Sequence, residues 1–181
     1  MPIPDYQSLM LPVLQAAAKG EVRLGDVEQQ LADKLGLSPE DRQQLLPSGR
    51  QRVFYNRVQW AKTYLTKAGL LIAPARGRFA ATGEGLALLT QAPQRIDNNT
   101  LLKYSAFREF QDRSAPSPTD GDNAPVLQVQ AARTATPEES IEAAFAAVQA
   151  ALRAELLERI LQNSPSFFET VIVDLLGSVG I

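Results

Sequence analysis

Between Leu45 and Phe79 the chain reads LLPSGRQRVFYNRVQWAKTYLTKAGLLIAPARGRF, with Arg50, Arg52, Arg57, Lys62, Lys67, Arg76 and Arg78 and not one carboxylate. Pro47-Ser48-Gly49 breaks the chain ahead of the first arginines and Gly69 supplies a stop, so the spacing predicts a helix near Arg50 to Ala68. At about 100° per residue, Phe54, Val58, Ala61, Leu65 and Ala68 fall in one narrow sector, while Arg52, Asn56, Gln59, Thr63 and Lys67 fall opposite. A helix of this kind packs one side on a core and leaves a cationic side outside. Two strand patterns follow, Leu70 to Ala73 and Arg78 to Ala81, joined by Pro74-Ala75-Arg76-Gly77, which predicts a hairpin with a basic tip.

The flanks complete a pattern. Leu9, Val13, Leu14, Ala17 and Ala18 recur at helical spacing in Tyr6 to Lys19, and Gly20 ends that run. Val22-Arg23-Leu24 reads as a short extended piece. Asp26 is placed to cap a second helix carrying Val27, Leu31 and Leu35 as far as Gly36. Ser38 caps a short helical turn with Pro39 at its first position and Glu40 and Asp41 at its positive end. Thr82 caps a last short helix with Leu86, Leu88 and Leu89. Helix, strand, helix, helix, basic helix and basic-tipped hairpin is the order of a winged helix, a helix-turn-helix variant, expected over residues 4–94. The fold class expected is mainly α with a small β-hairpin.

Overall the chain is acidic, with 18 Lys and Arg against 20 Asp and Glu, so the basic stretch concentrates positive potential where phosphates would sit. Double-stranded DNA is the partner this suggests. In such an interface Arg52, Asn56 and Gln59 have the chemistry to read base edges, and Arg76 and Arg78 reach phosphates or a minor groove. Arg50, Thr63 and Lys67 complete the expected DNA-binding set. Trp60 and Tyr64 flank the apolar sector and are expected to pack.

The texture changes to Pro, Ser, Asp and Ala between Arg108 and Arg133, and residues 95–135 are expected as a linker. Thr136-Pro137-Glu138-Glu139 is a strong helix start. Ile141, Ala144, Phe145, Val148, Leu152, Leu156 and Ile160 then make an apolar stripe that runs on to about Leu161. A further helix is expected from Ser164-Pro165, with Phe167, Phe168, Val171, Ile172, Leu175 and Leu176 ahead of Gly177. Stripes this long call for cover, so self-association through the C-terminal helices is expected.

Composition removes several chemistries. The chain has no cysteine and no histidine, which rules out disulfides, Ser–His and Cys–His catalysis and zinc fingers. Catalysis would need carboxylates and lysine with a magnesium-like ion. No stretch reaches the apolar length of a membrane span and the N-terminus lacks signal-peptide character, so a cytoplasmic protein is expected.

The segment LLPSGRQRVFYNRVQWAKTYLTKAGL with the following RGRFAAT resembles the N-terminal winged-helix domain of the Mrr family of modification-dependent restriction endonucleases, over roughly Asp5 to Leu89. LLERILQNSPSFFETVIVDLLGSVGI resembles the entry to that family's PD-(D/E)XK nuclease domain, so residues 136–181 are expected as its helical start. The resemblance implies DNA, methylated DNA included, as target and Mg2+ for the intact nuclease. Glu169 matches an accessory acidic position. The metal-binding strand motif is absent, so the chain as given is expected to hold no cofactor, to be non-catalytic and to be an N-terminal part. Two rival expectations remain: a dimeric winged-helix transcriptional regulator, and a winged helix that docks an acidic protein partner.

Overall fold

The structure, a computed structural model, describes residues 2–114 and 135–179. It divides into two compact units, Met1–Glu139 and Ser140–Ile181. In the first, helix α1 (Tyr6–Ala17) leads to strand β1 (Val22–Arg23), α2 (Leu24–Lys34), α3 (Pro39–Gln43) and α4 (Val53–Lys67). The hairpin β2 (Leu71–Ala75) and β3 (Arg78–Ala81) follows, then α5 (Gly83–Thr90), α6 (Asn98–Leu101) and α7 (Ser105–Ser114). The mainly helical chain with a small hairpin read from the sequence is what the structure contains.

Local chemistry explains most boundaries. Ser38 accepts from the Asp41 N–H and Thr82 from the Gly85 N–H, as the cap patterns predict. At the end of α4, Gly69 takes φ 79°. Its N–H donates to the Thr66 carbonyl while the Leu70 N–H reaches the Leu65 carbonyl, and this paired closure turns the chain straight into β2.

Two helix starts differ from expectation. Asp26 is not the cap of α2, which begins at Leu24 behind Arg23 with no side-chain cap. Val22 and Arg23 pair with Phe79 and Arg78 of β3, and the Leu24 N–H donates to the Gly77 carbonyl. The hairpin thus satisfies a donor that a side-chain cap would otherwise take. Likewise α4 begins at Val53, not Arg50, because residues 44–53 close a loop. Leu45 bridges Arg52, the Leu46 N–H donates to the Gln51 carbonyl, and the Val53 N–H donates to that of Gln44.

The sheet is antiparallel in the order β1-β3-β2. Its β2–β3 register shifts between Ile72 and Ala75, where Pro74 has no N–H to give. The core gathers Leu9, Met10 and Leu14 of α1, Phe54, Val58 and Leu65 of α4, Leu70 and Phe79, all fully buried. Each such side chain contributes about 1.5–3 kcal/mol of transfer free energy.

The expected linker over 95–135 is corrected for its described first part. Ile96, Leu101 and Phe107 are fully buried in the same core, so residues 96–114 belong to this unit. The apolar positions are too few and too widely spaced to stand out from a Pro- and Ser-rich surrounding. Polar bonds back them: the Asn98 N–H donates to Gln7 Oε1 at 3.0 Å and its Nδ2 to the Tyr6 hydroxyl at 2.7 Å. Burial pushes the Tyr6 phenol up to about 12. The remainder of the expected linker, 115–134, lies outside the described residues.

Helix α8 (Pro137–Leu161) starts in the first unit and continues in the second, where α9 (Pro165–Val179) follows. Gly177 does not end α9; it is absent from the glycines with positive φ and the helix passes through it. Ile141, Phe145, Val148, Leu152 and Leu156 of α8 are exposed, as are Phe167, Phe168, Leu175 and Leu176 of α9. Among the described residues no helix is long and apolar enough to cross a membrane.

Two tests follow from this packing. A Cβ on Gly85 would lie 2.3 Å from the Leu70 carbonyl oxygen and 3.1 Å from Leu14 Cδ1. Gly85→Ala is therefore expected to destabilise the protein by about 1–3 kcal/mol in urea denaturation; an unchanged midpoint would contradict the close approach. Asp97 sits below the ordinary aspartate range, chiefly through the Thr100 N–H it accepts. Burial raises Asp5, but bonds from Ser8 and Gln7 and the charge of Arg95 more than offset it. Both folded-state values lie below the unfolded one, so this stability is complete above about pH 4 and is lost as pH falls through the depressed values. Melting temperature should drop as pH falls below about 4, less steeply in Asp97→Asn.

Candidate nucleic-acid interface

The side of α4 left open carries Arg52 and Gln59, both exposed, with Tyr55, Lys62 and Thr63 half-buried between them. Helix α4 packs on β2, and Lys62 Nζ stands 5.8 Å from the Phe79 ring of β3. Helix and hairpin are therefore packed neighbours. Arg76 at the hairpin tip, Arg78 on β3 and Arg50 ahead of α4 are exposed.

The residues expected to bind DNA fare differently. Arg50 and Arg76 make no ion pair among the described residues. Arg52 is paired with Glu28 at 2.9 Å and lies over the Tyr55 ring. Arg78 pairs with Glu21 at 2.8 Å. Gln59 accepts from Gln51 Nε2 at 3.1 Å, and the Thr63 hydroxyl donates to the Gln59 carbonyl. Asn56 is a correction: it is 1% exposed, donates to Gln51 Oε1 and accepts from the Thr136 hydroxyl at 2.6 Å. It faces the protein, not a groove. Lys67 is exposed, but its Nζ lies 5.2 Å from the Phe110 ring of α7, on the covered flank.

That flank is covered by the turn that opens α8. Thr136 is fully buried and forms a capping box: its N–H donates to Glu139 Oε2 at 2.7 Å and its hydroxyl accepts the Glu139 N–H at 3.2 Å. Arg57 donates through Nε and Nη2 to Glu139 Oε1 and through Nη1 to the Ile3 and Pro4 carbonyls. Trp60 Nε1 donates to the Glu138 carboxylate. Tyr64 meets Tyr6, Trp60 and Phe107 edge to face at 5.3, 5.4 and 5.6 Å. Burial, then the charge of Glu138, raises the Tyr64 phenol. Trp60 and Tyr64 pack as expected.

The open face is thus turned about the axis of α4, away from Asn56 and Lys67 and toward Tyr55 and Lys62. The helical wheel contains those two residues. Only the second covered flank reveals them, and no local signal announces it.

Residues 6–91 match the Mrr N-terminal domain. The chain carries the N-terminal domain of the Mrr family. The Type IV methyl-directed restriction enzyme EcoKMrr of Escherichia coli strain K12 is 32% identical over 184 residues, a match covering 99% of this chain and 60% of the relative. The chain spans about three-fifths of that relative's length. No solved structure is significantly similar to it. The kinship read from the basic helix and hairpin is borne out, and the match extends through α8 and α9. Glu169 is exposed on α9. Among the described residues no three Asp or Glu side chains gather to hold a metal ion.

Thr136→Ala removes a cap and leaves Asn56 Oδ1 without its donor. It is expected to cost about 1–2 kcal/mol, and less when added to Asn56→Ala than to the parent protein, because the two share one contact. Urea denaturation of the four-member cycle checks this; simple additivity would contradict the contact.

Proposed function

We propose that the first unit is a winged-helix DNA-binding domain, with α4 as recognition helix and the β2–β3 hairpin as wing, and that it delivers a Mg-dependent nuclease to DNA in the intact protein. The observation that carries this reading is that Arg50, Arg52, Gln59, Arg76 and Arg78 all stay exposed on α4, the turn ahead of it and the hairpin packed against it, in a chain whose net charge is −2. Recognition helices present their N-terminal residues to base edges, and Arg52 and Gln59 stand there. Arg50, Lys62, Arg76 and Arg78 suit phosphates.

The domain boundary in this reading moves from 94 to 114. Methylated DNA as the preferred target extends to this chain what the name of EcoKMrr says of that enzyme. The apolar rows of α8 and α9 support homo-oligomerisation, and a cytoplasmic restriction system is the setting. Residues 2–114 and 135–179 supply recognition and no cleavage chemistry.

Binding of the full chain to matched plain and methylated duplexes across a salt series tests it. Five cations at phosphates or bases predict a slope of log affinity on log salt of about −4 to −5, and Arg76→Ala should reduce its magnitude by about 1. Absence of binding at low salt would overturn the reading in favour of a protein-docking surface. Protection of two half-sites about one helical turn apart would favour a dimeric regulator.

A further inference from the structure

Arg52 precedes the first turn of α4, at the end that faces bases in the reading above, yet its guanidinium is not free to swing. Nη1 lies 2.9 Å from Glu28 Oε1 and Nη2 donates to Oε2 at 3.0 Å, a fork-to-fork pair. The Glu28 side chain on α2 is only 10% exposed, against 44% for Arg52. A carboxylate so far removed from water needs a partner. The neighbouring Arg42 is engaged elsewhere, with Asp33 at 2.7 Å and the Leu37 carbonyl at 2.9 Å, which leaves Glu28 to Arg52. Tyr55 holds the guanidinium from a second side, 5.8 Å from its ring centre.

A guanidinium carries five N–H groups in one plane. At the far end of the fork Glu28 accepts from Nη2 and stands against Nη1. The side edge, Nε–H with the outer hydrogen of the adjoining Nη, is left to a second bidentate acceptor. In the major groove guanine offers O6 and N7 in that spacing, and no other base pairs two acceptors there.

We propose that Glu28 is a positioning residue for base readout, fixing Arg52 so that its side edge takes O6 and N7 of one guanine. The inference rests on the DNA-binding reading and adds its specificity. Glu28 touches no base itself. Its removal keeps the number of cations on the surface and takes away one offsetting carboxylate, so discrimination between bases should fall while affinity for DNA at large is kept or raised.

The test selects duplexes from a pool with a randomised centre, using the full chain and its Glu28→Gln, Glu28→Asp and Arg52→Lys variants, with circular dichroism melts to show that each folds. The wild type is expected to prefer guanine at one position by about tenfold or more. Glu28→Gln and Arg52→Lys should bring that preference near parity while binding at low salt is kept, and Glu28→Asp should restore part of it. A Glu28→Gln variant that keeps the full guanine preference, or that loses affinity equally for every base, overturns the proposal while the DNA-binding reading stands. If Glu28→Gln does not fold, Arg52→Lys decides: an undiminished guanine preference overturns the proposal. A wild type that binds no duplex at low salt removes the reading beneath it.

Discussion

A guanidinium that loses most of its water has to recover hydrogen bonds from the chain, and Arg57 recovers four. Two go to Glu139 and two to the carbonyls of Ile3 and Pro4. The side chain sits in the middle of α4, so satisfying it brings the N-terminal strand of residues and the first turn of α8 onto one flank of that helix. With Arg57 and Glu139 at 21% and 15% exposure, leaving either alone would cost far more than an exposed pair is worth. Asn56 and Trp60 join the same flank through Thr136 and Glu138. The side of α4 that remains open follows from this arrangement.

The cations of the basic stretch are sorted by the company they keep. Arg57 is structural. Lys67 lies against an aromatic ring. Arg52 and Arg78 are each paired with a carboxylate from outside the stretch, Glu28 and Glu21, so their charge is partly offset and their orientation defined. Arg50 and Arg76 stand at the two ends of the surface. A region without a single acid in its own sequence thus acquires Glu21, Glu28, Glu138 and Glu139 as neighbours in three dimensions, and its potential is more graded than a count of residues implies.

The match to the Mrr N-terminal domain covers α4 and the hairpin together. The second unit contributes two helices whose large apolar side chains are exposed, and apolar side chains in such numbers in water are surfaces made for cover. The first unit has its own core, caps and sheet. Its exposed basic side chains are all supplied without those helices.

What the sequence by itself determined lies within a few residues of each signal. Helix period, the caps at Ser38, Thr82 and Thr136, the closure at Gly69 and the basic-tipped hairpin all depend on neighbours at most a turn away, which is why they could be read. Tertiary structure alone decided that Asn56 points inward, that Arg57 serves the fold, that Ile96 and Phe107 belong to the core and that Tyr55 and Lys62 share the open face. Those outcomes rest on contacts such as Asn56 with Thr136 and Arg57 with Glu139, separated by 80 and 82 positions. No pattern within one helix encodes a partner so distant, because burial of a side chain depends on what the rest of the chain brings to it.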